Sequence, residues 1–256
     1  MKKCFIATLA LTLVLALAGC GNGNGGSEEP AAPAQDEKSE GVMTYAEYEA
    51  AELNTQVVIE AYVQAKQSWY QGNSNRENKD TATVYAQDKD GAYFLYDMEC
   101  SKEDYDKLTP GTKIKVTGYK AEWSGEVEII EATFEIMDGN YVASAMDVTS
   151  LLGTDDLIKH QNKFVSFKGM TVEDAGNGSA FMYNWDGSGE EGSDLYFNVS
   201  LNGNTYTFTV ESYLCGTDTE VYQAVKALQI GQTVDLEGFL YWYNGMNPHI
   251  TSVTVK

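Results

Sequence analysis

Residues 108–130, LTPGTKIKVTGYKAEWSGEVEII, are written a second time 120 residues further on, as LQIGQTVDLEGFLYWYNGMNPHI at 228–250. Without a gap, Leu108 meets Leu228, Gly111 meets Gly231, Ile114 meets Val234 and Val116 meets Leu236. Gly118 then meets Gly238, Gly125 meets Gly245 and Ile130 meets Ile250. Apolar and glycine positions matched in one register mark an internal duplication. A duplicated chain has to fold each copy into the same unit, so the residues around each copy define the architecture. At 256 residues there is room for two domains of ordinary size besides a leader.

Ahead of the first copy, Thr44-Tyr-Ala-Glu47 is a capping-box pattern that opens a short helix to about Leu53. Residues 57–63 read as a strand, and 65–80 as a polar loop carrying Trp69 and Tyr70. Two further strands, 81–87 and 92–98, meet at the turn Asp88-Lys-Asp-Gly91. Ser101-Lys-Glu-Asp104 caps another short helix. Residues 113–119 alternate strictly, with Ile114 and Val116 on one face and Lys113 and Lys115 on the other. The turn at Trp123-Ser-Gly125 leads to a last strand at 127–134.

The second half repeats this order. Residues 144–152 resemble the first helix, 164–172 form the first strand, and a Gly-rich acidic loop with Trp185 runs to Asp194. A hairpin of 195–201 and 205–211 turns at Asn202-Gly-Asn204, and Thr217-Asp-Thr-Glu220 caps a helix running to Leu228. Residues 233–241 and 250–255 close the set.

Five strands with one helix between the third and fourth, and a fourth strand of the form G-x-x-[IV]-x-[VL]-x-G (111–118 and 231–238), resemble the OB-fold. That is the small oligonucleotide/oligosaccharide-binding barrel. The resemblance implies a mainly β chain with short helices, built as two tandem five-stranded OB-like barrels at 43–139 and 140–256.

The first twenty residues have a Lys2-Lys3 start, an apolar run from Phe5 to Ala18, and Leu17-Ala18-Gly19-Cys20 at the end. These four resemble the lipobox of bacterial lipoproteins. The resemblance implies a signal peptide at 1–19, lipidation of Cys20, and a chain anchored to the cell membrane on its extracytoplasmic side. Residues 20–42, Gly/Asn then Pro/Ala then acidic, read as the flexible tether. The whole is similar to small OB-containing surface lipoproteins of anaerobic Gram-positive bacteria, most of which lack an assigned activity.

Little in the chain suits catalysis. The two histidines, His160 and His249, stand in different repeats with no metal-like spacing, and read as satisfied surface or loop residues. Cys100 and Cys215 lack a neighbouring histidine or cationic surroundings, and read as buried core residues at corresponding places in the repeats. A bridge between them would need the barrels to meet there. No phosphate loop, nucleophile elbow or zinc motif is present, so no enzyme activity and no cofactor are expected. The acidic loop at 186–194 has calcium-type ligands without the spacing of an EF-hand, and reads as a solvated loop.

A formal charge of −21 with a single arginine, Arg76, weighs against tight nucleic-acid binding and favours neutral or cationic partners. In favour of nucleic acid stand the aromatics and a few basic residues near the first barrel's mouth, Lys66, Arg76, Lys79 and Lys120. All four tryptophans fall in mouth loops. Trp69 and Trp185 follow a first strand, and Trp123 and Trp242 lie between a fourth and a fifth. Tyr70, Tyr241 and Tyr243 stand beside them. Such rings either offer stacking faces to sugars, bases or a partner's side chains, or fold over the barrel end as a small satellite core. The expected function is a non-catalytic binding module for a glycan, peptide or protein. Single-stranded nucleic acid, as an accessory to an extracellular nuclease, and a purely structural envelope role are the alternatives.

Overall fold

The computed structural model describes residues 38–72 and 78–256. The leader, Cys20, most of the tether and Arg76 lie outside the described residues. No helix among the described residues is long and apolar enough to cross a membrane.

Helix α1 (Tyr45–Ala50) opens on the capping box, with Thr44 accepting from the Glu47 amide and Glu47 closing back on the Thr44 amide. Its C-terminal carbonyls are taken by Lys120, whose Nζ donates to Tyr48 O, Glu49 O and Ala51 O at 2.9–3.0 Å. Orphan carbonyls at a helix end need such a donor. Strands β1 (Gln56–Lys66), β2 (Thr81–Gln87) and β3 (Ala92–Glu99) follow. Helix α2 (Lys102–Lys107), capped by Ser101, separates them from β4 (Thr112–Trp123) and β5 (Glu126–Asn140). They close in the order β1-β2-β3-β5-β4, with β4 returning to β1 and β3 parallel to β5. This is the OB strand order.

The second barrel is made of β7 (Phe164–Glu173), β9 (Leu195–Leu201), β10 (Asn204–Val210), β11 (Thr233–Phe239) and β12 (His249–Val255). The pairings β7–β11–β12–β10–β9–β7 close it, again with one parallel contact, between β10 and β12. Helix α3 (Glu220–Lys226) stands where α2 stands in the first barrel. Two short strands decorate this copy, β6 (Met146–Asp147) and β8 (Phe181–Tyr183). Each barrel packs its own core. Val57, Ile59, Val84, Leu95, Ile114 and Ile129 fill the first, and Val165, Phe167, Phe197, Phe208, Val234 and Leu236 fill the second.

Three local expectations fail. Residues 144–152 form β6 and one turn of 3-10 helix (Thr149–Leu151) instead of a helix. Asp147 accepts from both the amide and the hydroxyl of Thr149, a local side-chain bond that competes with helix formation. The N-cap of α3 is Thr219, whose hydroxyl accepts from Tyr222 N, so the Thr217–Glu220 box is not used. The acidic loop before Asp194 carries β8, which extends the sheet beyond β9. In addition the fold reaches back to Lys38, inside the stretch read as tether. Its ammonium lies 2.6 Å from the buried Asp88 carboxylate.

The doubled stretch proves to be β4-turn-β5 in one barrel and β11-loop-β12 in the other. Gly111 and Gly231 take positive φ (93° and 88°), and each donates its amide to the end of its barrel's first strand, at Val63 O and Val172 O. Gly118 and Gly238 sit at register shifts where the fourth strand crosses close over the fifth. A Cβ at 238 would stand 2.2 Å from the His249 carbonyl oxygen, and one at 118 would stand 2.6 Å from Ile129 Cγ2. Backbone cannot yield as a side-chain tip can. Gly238→Ala should therefore cost about 3 kcal/mol of stability by overpacking, read as a lowered urea midpoint at unchanged slope.

Candidate functional site

The barrels lie in one compact unit and meet through a small aromatic core. Strand β2 is buried along both faces, which one barrel alone does not explain. Ala82, Val84 and Ala86 point into the first barrel, while Tyr85 leaves by the outer face together with Phe94 of β3. Tyr85 stacks on Phe239 of the second barrel, ring centroids 4.3 Å apart and 18° from parallel. Its hydroxyl lies 2.7 Å from His249 Nδ1. His249 is only 6% exposed, and burial lowers its pKa to about 3, so the imidazole is neutral. It is a buried strand residue, not the surface or loop histidine expected. The corresponding outer face of the second barrel is polar, with Thr207 Oγ1 donating to Asn198 Oδ1 at 2.8 Å.

Polar bonds close the rim of this contact. Gln161 spans the Gly125 carbonyl and the Val127 amide, Asn162 Nδ2 donates to Val127 O, and Gln87 Oε1 accepts from Phe164 N. The two loops between fourth and fifth strands, one from each repeat, touch. Asn244 N donates to Ser124 O at 2.7 Å, and the Trp242 ring lies against Gly125. Trp242 N donates to Glu126 Oε2 at 2.8 Å. In the first barrel this hairpin pairs out to Trp123 and Glu126, with Ser124 and Gly125 both at positive φ. In the second, the regular ladder ends at Phe239 and His249, and residues 240–248 form a looser hairpin with one bridge between Trp242 and Met246 that reaches the first barrel.

Above the aromatic core the barrels leave a groove of about 400 Å³, a volume within the range of small-ligand clefts. Its floor is the outer face of β2–β3, with Thr81, Thr83, Phe94, Tyr96 and Asp97. One wall is the loop after β1, with Trp69 and Tyr70. The other belongs to the second barrel, with Glu211, Tyr213, Tyr241 and His249. Trp69 is held by Nε1 donating to Cys100 O at 2.9 Å, and Tyr70 by paired backbone bonds with Thr81. Ser68 N donates to Tyr213 O, tying the two walls together. Tyr241 stacks on His249 at 4.4 Å. Asp97 interrupts β3 at a bulge with φ of 47°, its amide donating to Thr83 Oγ1. Bulges of this kind re-aim a side chain and gather next to functional sites. A hollow of about 590 Å³ on the second barrel is lined by side chains such as Asp147, Thr149, Ser150, Leu201 and Asn202 and by a single ring, Tyr206.

Of the sequence candidates, the structure brings Trp69, Tyr70 and Tyr241 together in this groove. Trp242 lies against the first barrel as part of the contact, as a satellite core. Trp123, Trp185 and Tyr243 are outside the groove, and the two tryptophans are 62% and 73% exposed. The three described basic residues of the first mouth are engaged elsewhere. Lys120 caps α1, Lys66 donates to Tyr105 O, and Lys79 lies 3.4 Å from Glu99. Phe94, Tyr96, Asp97, Glu211, Tyr213 and His249 were missed. The one sequence signal for any of them was aromatic residues on the outer face of the β2–β3 hairpin. The acidic loop binds itself up, with Glu191 on Lys226, Asp194 on Ser212 and Asp186 on Ser188. Among the described residues no three acidic, histidine or cysteine groups could hold a metal ion. Cys100 and Cys215 are free and buried.

No protein-family model matches the chain, and no curated protein matches it. Solved structures share its outline loosely. The tetrameric p202 HIN2 aligns over 80% of this chain and 96% of its own, at 10% identity and a TM-score of 0.32. The Ifi202 HINa domain in complex with a 20-base-pair double-stranded DNA aligns over 79% and 98%, at 11% and 0.34. A replication protein A heterotrimer bound to single-stranded DNA aligns over 86% and 52%, at 13% and 0.35. The two closed barrels rest on their strand order, independently of these likenesses.

Three carboxyls at the contact are held up by burial. Glu126 is raised to about 8, Glu128 and Glu211 to about 7. Glu126 Oε1 and Asn162 Oδ1, both buried acceptors, have no partner among the described residues, as fits a proton on Glu126. A carboxyl whose folded pKa exceeds its unfolded one stabilises the fold in its protonated form. That stability is full below the unfolded value and is lost as pH climbs through the folded one. His249, depressed, acts oppositely and only as pH falls below about 6.5. Thermal unfolding should therefore show a lower midpoint at pH 8.5 than at pH 6.5. Glu126→Gln, which carries the neutral form permanently, should flatten that slope.

Proposed function

We propose that this chain is a non-catalytic binding module, tethered through a lipidated Cys20 to the extracytoplasmic face of a membrane, that takes a short oligosaccharide in the groove between its barrels. The carrying observation is the convergence of Trp69, Tyr70, Tyr96, Tyr213 and Tyr241 over a floor of threonine hydroxyls and two carboxyls. Flat rings that combine an apolar face with a polar edge suit the apolar faces of pyranose rings, and the polar floor suits hydroxyl groups. The OB-fold is a known platform for such ligands across its second and third strands, where this groove lies.

Single-stranded nucleic acid is the second reading, because the same rings would stack bases. Phosphates need cations, and none of the described residues lining the groove is a lysine or arginine. Lys66, Lys79 and Lys120 already have partners.

The test is a glycan and oligonucleotide array probed with the full chain in mild detergent at two salt concentrations. Glycan binding that changes little with salt supports the first reading. Oligonucleotide binding that falls steeply with salt supports the second. For the glycan that binds, Trp69→Ala and, separately, the exposed Tyr213→Ala should each weaken affinity about tenfold, or 1.4 kcal/mol. Trp185→Ala should not change it. Equal affinities across all four proteins would remove the groove from consideration.

A further inference from the structure

The outer sheet face of the first barrel does not end with the groove. Phe94 and Tyr96 of β3 share that face, ring centroids 6.4 Å apart, and Tyr96 belongs to the groove floor. Strand β5 runs beside β3 and parallel to it, with Phe94 level with Glu128 and Leu95 with Ile129. Side chains alternate along a strand, so Tyr96 falls level with Ile130 on the same face. Ile130 in turn pairs with Tyr119 of β4. One row of side chains, Tyr96, Ile130 and Tyr119, therefore crosses three neighbouring strands. It begins in the groove and leaves it. Its two rings are 41% and 39% exposed, with Ile130 half-buried between them.

All three strands depart from regular geometry at this level. Asp97, the residue after Tyr96, and Glu131, the residue after Ile130, both take left-handed backbone, with φ of 47° and 51°. On β4 the residue before Tyr119 is Gly118, where a Cβ would stand 2.8 Å from the Ile130 carbonyl oxygen. The ladders shift register beside these residues. A non-glycine residue in the left-handed region is a conformational cost, and a bulge bends its strand. Two of them side by side on adjacent strands put a crease across the sheet, and the row runs along it. Two strand spacings put Tyr119 about 10 Å from Tyr96 across the sheet. A ligand confined to the groove does not touch Tyr119.

We infer that the groove is one end of a longer track, and that its glycan is a linear, neutral, β-1,4-linked chain of hexopyranoses running across β5 to Tyr119. The inference rests on the glycan reading above and lengthens the ligand. Equatorial β-1,4 links keep such a chain straight and turn the apolar faces of its rings outward, which suits a straight row of flat apolar side chains. An α-1,4-linked chain of the same sugar coils away from a straight row. None of the three side chains in the row is an acid or a base, and a net charge of −21 disfavours an acidic polymer.

The experiment measures, by calorimetry, the affinity of the full chain in mild detergent for cellobiose, cellohexaose and maltohexaose. Cellohexaose should bind at least tenfold tighter than cellobiose, and maltohexaose should lack that gain. Tyr119→Ala should remove the gain and leave cellobiose unchanged. Tyr119→Phe, which keeps the ring, should retain it. Trp69→Ala, in the groove itself, should weaken cellobiose and cellohexaose alike. An unchanged urea midpoint verifies the fold of Tyr119→Ala. Should that variant not fold, the three sugars compared on the unaltered chain still decide.

Equal affinities for cellobiose and cellohexaose overturn the track and leave the glycan reading standing. So does a gain that survives Tyr119→Ala, or one that maltohexaose shares. Binding of none of the three, while the array finds another glycan whose affinity falls in Tyr213→Ala, overturns the inference alone. Absence of any glycan binding overturns both.

Discussion

Everything distinctive about this protein depends on Tyr85 lying flat against Phe239. The ring pair lies at the centre of the contact that joins the two barrels, and the hydroxyl of Tyr85 reaches His249 in the same stroke. A neutral imidazole is the only form that this site can hold without a counter-ion, and burial enforces it. The groove exists because of this contact. Its floor belongs to β2 and β3 and its far wall to Glu211, Tyr213, Tyr241 and His249. Apart, the two barrels would present an open sheet face and a loose set of loops.

Carboxyls complete the same picture. Glu126 lies at the junction with Trp242 bonded to it, and Glu211 lies in the groove wall. The pKa of each is raised chiefly by burial rather than by a charged partner. An acidic chain thus raises the pKa of acids where its two halves meet, and pairs other buried acids, Asp88 and Glu60, with lysines. The groove and the contact share residues, so ligand binding and barrel docking draw on one set of side chains.

Much of each barrel was legible in the sequence because the signals there are local. Ile114 and Val116 alternate against Lys113 and Lys115, Asp88 closes a turn onto the amides of residues 90 and 91, and Ser101 caps α2. The doubled glycines could be read as bends, and they are sites of close approach and left-handed backbone. The groove was legible only in part. Trp69, Tyr70 and Tyr241 could be picked out as aromatics in loops. Asp97 and Glu211 could not, since they are far apart in the chain and resemble dozens of other acids. The bulge that turns Asp97 outward leaves no mark in the surrounding residues. Lys120 misled for the same reason. A lysine near a loop looks like a surface cation, and only the fold shows it plugging the end of α1. Docking between barrels is a long-range event, and its one trace in the sequence, Tyr85 and Phe94 on a strand face that a lone barrel would give to water, acquires its meaning only in the fold.

The two copies have diverged in opposite directions on that face. The first carries Tyr85 and Phe94 there, and the second carries Thr207 and Asn198 bonded to each other. This matters because the contact between the barrels is head-to-tail: strand ends and the adjoining loop of one copy lie on the sheet of the other. An interface of that kind, repeated, has no natural end and grows into filaments. If the second barrel had kept an aromatic face, the loop of another chain would find a seat on it, and so on without limit. With the Thr207–Asn198 pair where the first barrel carries Tyr85 and Phe94, the second barrel offers no equivalent seat for such a loop.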